Sequence, residues 1–259
     1  MDITELQRLE PGKRINRHPW EITRARIIAF FLSKYQPHSK HIADFGSGDA
    51  FVLSTIAGKE FADRYSAIDT AYTPEIIQLV KTFETNPSIS FLTDIYLMKK
   101  TEEKADCFLL LDVLEHCEDD AAVLGPLVKS EMATDNALFL VTVPAFRSLF
   151  SEHDKLLHHY RRYTRKQLAT LCQRSSLEVL ASGYFFSILV PVRWFQLVLE
   201  KMKLRKPTTS LDSWKGNKVI TRLFYAILWA DFRVGHLFTK IGIRFPGLSC
   251  YCICRKLPS

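Results

Sequence analysis

The chain has 259 residues, 47% hydrophobic and 24% charged, which is enough to bury one substantial core and within the usual range for soluble globular proteins. No internal repeat, low-complexity tract or flexible linker interrupts it, which excludes solenoid and disordered classes. The net charge of +7 is uneven. Eleven Lys and Arg between Ser187 and Phe245 face only Glu200, Asp212 and Asp231, so the basic character belongs to that segment and the remainder is slightly acidic.

Met1 to Pro11 carries Asp2, Glu5, Arg8 and Glu10 without an apolar run, so no signal peptide is expected and a cytoplasmic location is. Short apolar runs then alternate with helical stretches. Strands are expected at 41–45, 65–68, 89–93, 107–111 and 137–143, ending at or just before Gly46, Asp69, Asp94, Asp112 and Pro144. Helices are expected around 50–60, 73–84 and 118–132, an alternation that predicts a parallel sheet between helical layers. Ligands of such sheets sit at the carboxyl ends of the strands, so the acids there should share one crevice. Thr164 with Gln167 three residues on forms a capping-box signature for a helix over 164–174. Two more strands are expected at 177–186 and 248–254. Between them lie Ile188–Met202 and Val219–Phe238, apolar but interrupted by charge, which reads as an inserted helical hairpin and not a membrane span. Cys107, Cys117, Cys172, Cys250, Cys252 and Cys254 lack paired CxxC spacing, and the last three alternate along a strand. They are expected to be reduced packing residues, with no metal site.

Asp44-Phe45-Gly46-Ser47-Gly48 follows a strand and opens a helix, where glycines let the backbone approach a ligand at the helix's positive end. Phe51 stands where a dinucleotide fingerprint needs its third glycine, which argues against that cofactor class. Asp69, twenty-five residues after Asp44, can accept both ribose hydroxyls of an adenosine. The bland alternatives are a turn role for Asp44 and an Asx turn at Asp69. With Leu111-Asp112-Val113-Leu114-Glu115-His116 after the fourth strand, the chain resembles the class I S-adenosylmethionine-dependent methyltransferases. His18-Pro19-Trp20-Glu21 with Arg24, the stretch from Val143 through His153-Asp154 to Arg165, and Pro246 to Lys256 are similar to a bacterial small-molecule subgroup of type 11/12. The subgroup's usual glycine is His158 here.

That resemblance implies an α/β, Rossmann-like seven-stranded sheet with helices on both faces: a helical lid over 1–36, a cofactor-binding core over 37–186, the apolar basic insertion over 187–245 and a final strand over 246–259. It implies S-adenosyl-L-methionine as cofactor, with Asp44, Gly46 and Gly48 at the methionine end and Asp69 at the ribose. Asp94 and Ile95 would lie at the adenine, and Asp112 and His116 beside the sulfonium, under Arg24 of the lid. Methyl transfer to a hydroxyl needs a base, for which His153 is the first candidate and His116 the second; a surface His153 paired with Asp154 is the bland reading. His158 and Tyr160 are weaker candidates. Arg161, Arg162, Arg165 and Lys166 with Tyr160 and Tyr163 invite a nucleic-acid reading, which the acidic remainder opposes. The expected reaction is O-methylation of a hydrophobic, lipid-linked or polyketide-type small molecule; the alternatives are a nucleic-acid or protein methyltransferase and a non-catalytic cofactor-binding module. The insertion is expected to touch the inner face of a membrane, cap the pocket or form a homodimer interface.

Overall fold

The structure is a computed structural model describing residues 16–83, 86–94, 97–98, 104–202, 214 and 216–258. Its seven strands are β1 (Ser39–Phe45), β2 (Ala62–Ile68), β3 (Ile89–Leu92), β4 (Ala105–Leu111), β5 (Ala133–Pro144), β6 (Leu177–Phe185) and β7 (Ser249–Lys256). They form one sheet in the order β3-β2-β1-β4-β5-β7-β6. The first five are parallel, with Ile42 of β1 opposite Tyr65 on one side and Cys107 on the other. β7 runs antiparallel between β5 and β6. After β1 the chain steps outward to β2 and β3, then returns to β4 on β1's other side. The crevice at that reversal lies beyond the carboxyl ends of β1 and β4.

Helices α1 (Pro19–Tyr35), α2 (Phe51–Ala57) and α3 (Pro74–Phe83) pack into one core cluster with Ile42, Leu109, Leu140, Tyr251 and Ile253. Helix α4 (Asp120–Lys129), and beyond the short α5 (Glu152–Leu156), α6 (Arg165–Arg174), pack into the other with Ala43, Leu110, Val141 and three cysteines of β7. The central strands are covered on both faces, which is why they read as unbroken apolar runs. In β7 the period-two alternation is visible: Cys250, Cys252 and Cys254 face α6 while Tyr251 and Ile253 face α1. All six cysteines are free, and all but Cys117 are buried.

Local chemistry sets the helix ends. The His18 side chain accepts from Trp20 N–H, Glu21 accepts from His18 N–H at 2.9 Å, and Pro19 opens α1. Thr164 and Gln167 form the expected reciprocal cap of α6, at 2.8 and 3.3 Å. Between β6 and β7 the described residues form the helices α7 (Leu189–Lys201) and α8 (Lys218–Lys240). α8 lies along α1, where Phe30 meets Trp229 and Phe232, and Phe31 meets Phe232. α7 buries only Leu197. The Asp231 carboxylate on α8 accepts from Ser187 N–H at 2.8 Å and Ile188 N–H at 3.1 Å, fastening the start of α7. Among the described residues no helix is long and apolar enough to cross a membrane.

Candidate active site

The chain leaves β1 at Asp44-Phe45 and reverses through Gly46 (φ 68°), Gly48 (φ 55°) and Ala50 (φ 56°) before α2. A side chain at Gly46 would sit 2.7 Å from Val113 Cγ2, so the loop needs glycine there to press against the segment that follows β4. Asp44 is 2% exposed. Its Oδ2 accepts from Ser47 Oγ at 3.0 Å, while Oδ1 is buried without a hydrogen-bond partner among the described residues. Burial pushes its carboxyl up to about 7, against opposing contributions from Ser47 and Arg24.

Asp69 follows β2. Its Oδ2 accepts from Gly48 N–H and its Oδ1 from Ala71 N–H, both at 3.0 Å. The Asx-type turn is therefore present, and the same carboxylate also ties the glycine loop to the second strand. Tyr72, which no sequence motif marks, is buried and donates from its hydroxyl to Gly48 O at 2.8 Å. Asp94 is exposed two residues beyond β3, and Ile95 lies outside the described residues. Asp112, immediately after β4, has φ 59°. Arg24 Nη1 lies 2.8 Å from its Oδ2, and Thr142 Oγ1 donates to its Oδ1 at 3.1 Å. Arg24 thus latches α1 onto the end of β4, and the nearby Arg17 pairs with the buried Asp49.

Leu114–His116 forms a single 3-10 turn. Glu115 is fully buried and both of its carboxyl oxygens have no partner among the described residues. Burial, and next the neighbouring Asp112 charge, push its carboxyl well above the ordinary range. His116 is exposed and its ring stands 4.6 Å from that of His159, at 84°.

The segment after β5 folds back onto this turn. Tyr160 N–H donates to Glu115 O at 2.8 Å, and the Tyr163 hydroxyl reaches Leu114 O at 3.1 Å and Asp120 Oδ2 at 2.6 Å. His153, in α5, is half-buried, and burial followed by the Arg193 charge holds its imidazole below the usual 6.5. Neighbours one position apart diverge on a helix, and Asp154 pairs instead with His159 Nδ1 at 3.0 Å and with Arg162 at 2.7 and 3.0 Å. Although burial acts to raise it, those hydrogen bonds hold the Asp154 carboxyl well below the usual range. His158 has φ 56°, so the turn that a glycine would favour is built with a histidine.

The basic run is consumed internally. Arg161 pairs with Asp120, Arg162 clamps Asp154, Arg165 reaches Ser182 Oγ at 3.0 Å, and Tyr163 is buried. Only Lys166 and Tyr160 of that set are exposed, too little to form a phosphate-binding, base-stacking face. Beside it, an open apolar groove of about 410 Å³ is lined by Phe146, Leu149, Val190, Pro191, Trp194 and Pro246.

No family model matches the chain, and no curated protein sequence does. Solved structures do. The N-methyltransferase NodS of Bradyrhizobium japonicum WM9, in complex with S-adenosylhomocysteine, aligns with TM-score 0.55 and 13% identity over 98% of this chain and 97% of its own. The chain has the class I methyltransferase fold. The plantazolicin methyltransferase BamL, in complex with a triazolic desmethylPZN analog and S-adenosylhomocysteine, aligns with TM-score 0.51 and 12% identity over 92% of this chain and 84% of its own. The [4+2]-cyclase SpnF aligns with TM-score 0.55 and 9% identity over 97% and 86%. A methyltransferase sheet that bears the name of a cyclase shows that function must be argued from the site and not from the fold.

Proposed function

We propose that this protein is an S-adenosylmethionine-dependent methyltransferase acting on a hydroxyl of a hydrophobic, lipid-linked or polyketide-type small molecule. The observation that carries the reading is Asp44 Oδ1, a buried carboxylate oxygen at the end of β1 without a hydrogen-bond partner among the described residues, beside a glycine loop open to close approach. The ammonium group of a methionine supplies the cationic donor that oxygen lacks. Asp69 fits the same cofactor, because each of its oxygens spends one lone pair on the backbone and keeps another for a ribose hydroxyl. The glycine loop and Asp44 would hold the methionine end, Asp69 the ribose, and Asp94 with Ile95 the adenine. Asp112 and His116 would flank the reacting centre beneath Arg24.

The cofactor supplies a methyl group already activated by its sulfonium. What remains for the protein is alignment of the acceptor, exclusion of water and removal of one proton. His153, kept neutral by its surroundings, takes the hydroxyl proton as the acceptor oxygen bonds to the methyl carbon. His116 is the alternative base. The apolar groove beside α7 suits the hydrophobic body of the acceptor.

Contact with an anionic membrane surface belongs to the same proposal. Ile220, Leu223, Ile227, Val234 and Leu237 form an exposed apolar stripe along α8 that Ile241 continues just past its end, and α7 exposes Trp194 and Phe195. Lys203, Arg205 and Lys206, which would add attraction to anionic lipid, lie outside the described residues. The deciding experiment supplies methyl-tritiated cofactor to lipid extracts, RNA and protein pools. Label in the lipid or small-molecule fraction is expected, whereas label confined to RNA or protein overturns the acceptor class. Binding of S-adenosylhomocysteine without label in any fraction favours a non-catalytic module.

A further inference from the structure

We infer that Glu115, His116 and His159 form a binding site for a divalent transition-metal ion beside the methyl-transfer cleft. One carboxylate oxygen and one imidazole nitrogen from each histidine lie within 4.8 Å of one another. Metal ligation at about 2.0–2.2 Å brings cis donors to about 3 Å, so small side-chain rotations close the set around an ion. Two imidazoles and one carboxylate suit borderline cations such as Zn²⁺, Fe²⁺, Mn²⁺ or Co²⁺, and three protein ligands leave positions open to an oxygen of a second ligand.

Three further observations point to a cation there. Glu115 is fully buried with both carboxyl oxygens lacking a hydrogen-bond partner among the described residues, a costly state that a bound cation relieves. His159 is already oriented as a ligand: Asp154 Oδ1 holds its Nδ1 at 3.0 Å, which leaves Nε2 as the nitrogen free to ligate. Asp154 is itself fixed by Ser151 N–H at 2.9 Å, Ser151 Oγ at 3.0 Å and Arg162 at 2.7 and 3.0 Å. This carboxylate, histidine and ligand-site succession is the usual support of an imidazole that binds metal. Charge agrees, since Arg24 and Arg162 are matched by Asp112 and Asp154, so that an incoming cation meets no unmatched positive side chain among these and would displace the proton of Glu115. The exposed His116 gives an ion its way in from solvent.

Binding of the ion does not depend on the methyltransferase reading. Its use does: on that reading an acceptor that offers an oxygen ligand would fill an open position, and the cation would acidify its hydroxyl. Ligation of His116 also leaves His153 as the base.

The test uses the full chain stripped with a chelator and titrated with Co²⁺ in the absence of cofactor, read by visible absorption and by calorimetry. One equivalent is expected to bind with ligand-field bands in the visible. Glu115→Gln, His116→Asn and His159→Asn should each weaken binding at least about tenfold, and Asp154→Asn about 10–100-fold as a loss of support to a ligand. His158→Asn, a nearby exposed histidine outside the cluster, should bind as the parent does. His116 is exposed, so its variant keeps the test valid where a core substitution disturbs folding. Absence of any Co²⁺ signal, or binding that survives the three ligand substitutions, overturns the proposal. S-adenosylhomocysteine affinity on the same samples separates the two readings: intact cofactor binding without Co²⁺ uptake refutes the metal site alone.

Discussion

Replacing Asp69 by alanine removes a carboxylate that holds two backbone N–H groups and is proposed to hold the ribose. In the free protein it accepts Gly48 N–H and Ala71 N–H at 3.0 Å each, and both donors lie near solvent that can replace it. The structural loss is therefore small, about 0.5–1.5 kcal/mol per bond at most. With cofactor bound, the remaining lone pairs would receive two ribose hydroxyls in charge-assisted hydrogen bonds of about 1.5–3 kcal/mol each. Losing both raises Kd about 10²- to 10⁴-fold. Asp69→Asn, which retains one acceptor oxygen, should fall between. Isothermal titration with S-adenosylhomocysteine measures the effect, and circular dichroism checks that the fold persists. Unchanged affinity in a folded Asp69→Ala variant would refute the ribose assignment and the cofactor pose built on it.

Asp44 has its carboxyl raised by burial from 3.8 to about 7, so its protonation favours the folded state; that contribution is complete below pH 4 and is lost as pH rises through 7. Asp44→Asn should therefore raise the apo protein's Tm relative to the parent at pH 8 but not at pH 4, while weakening S-adenosylhomocysteine binding; an equal shift at both pH values contradicts it. His153→Ala should lower turnover about 10²-fold or more and leave S-adenosylhomocysteine affinity nearly unchanged, and parental rates across pH 6–9 would reassign the base to His116. His158→Gly should stabilise the protein by about 0.5–1 kcal/mol in urea denaturation, because glycine adopts φ 56° without the strain a histidine bears; a loss of stability would show that the imidazole makes a contact worth more than the strain.

The sheet was legible in the sequence because its central strands are buried on both faces and bounded by turn residues. The Cys250, Cys252 and Cys254 alternation placed three side chains on one face, and the structure puts them against α6. Strand starts were less legible. Residues 62–64 of β2 are exposed or half-exposed and carry Asp63 and Arg64, so the apolar signal begins only at Tyr65. The glycine loop, Asp44, Asp69 and Asp112 follow strand ends and so announce themselves in order. His159 does not: its meeting with His116 depends on the chain after β5 folding back, and forty-three residues separate the two. The partners of Asp154 are hidden for a related reason: the bland reading pairs it with the adjacent His153, while the turn at His158 delivers His159 and Arg162. Tyr72 carries no spacing signal, and its role appears only once the loop it holds is folded.

The antiparallel β7 is last in chain order yet lies between β5 and β6 in space. Until Ser249–Lys256 has been synthesised, β5 lacks one neighbour, β6 has none, and the face that α6 and Cys172 cover is incomplete. The stretch from 37 to 186 is therefore not expected to fold on its own. A chain shortened before residue 249 should leave two strand edges unpaired and prone to self-association. Closure must wait while roughly sixty residues of α7, α8 and their connections are made, which predicts slow, late consolidation of the β5 to β6 edge in a nascent chain.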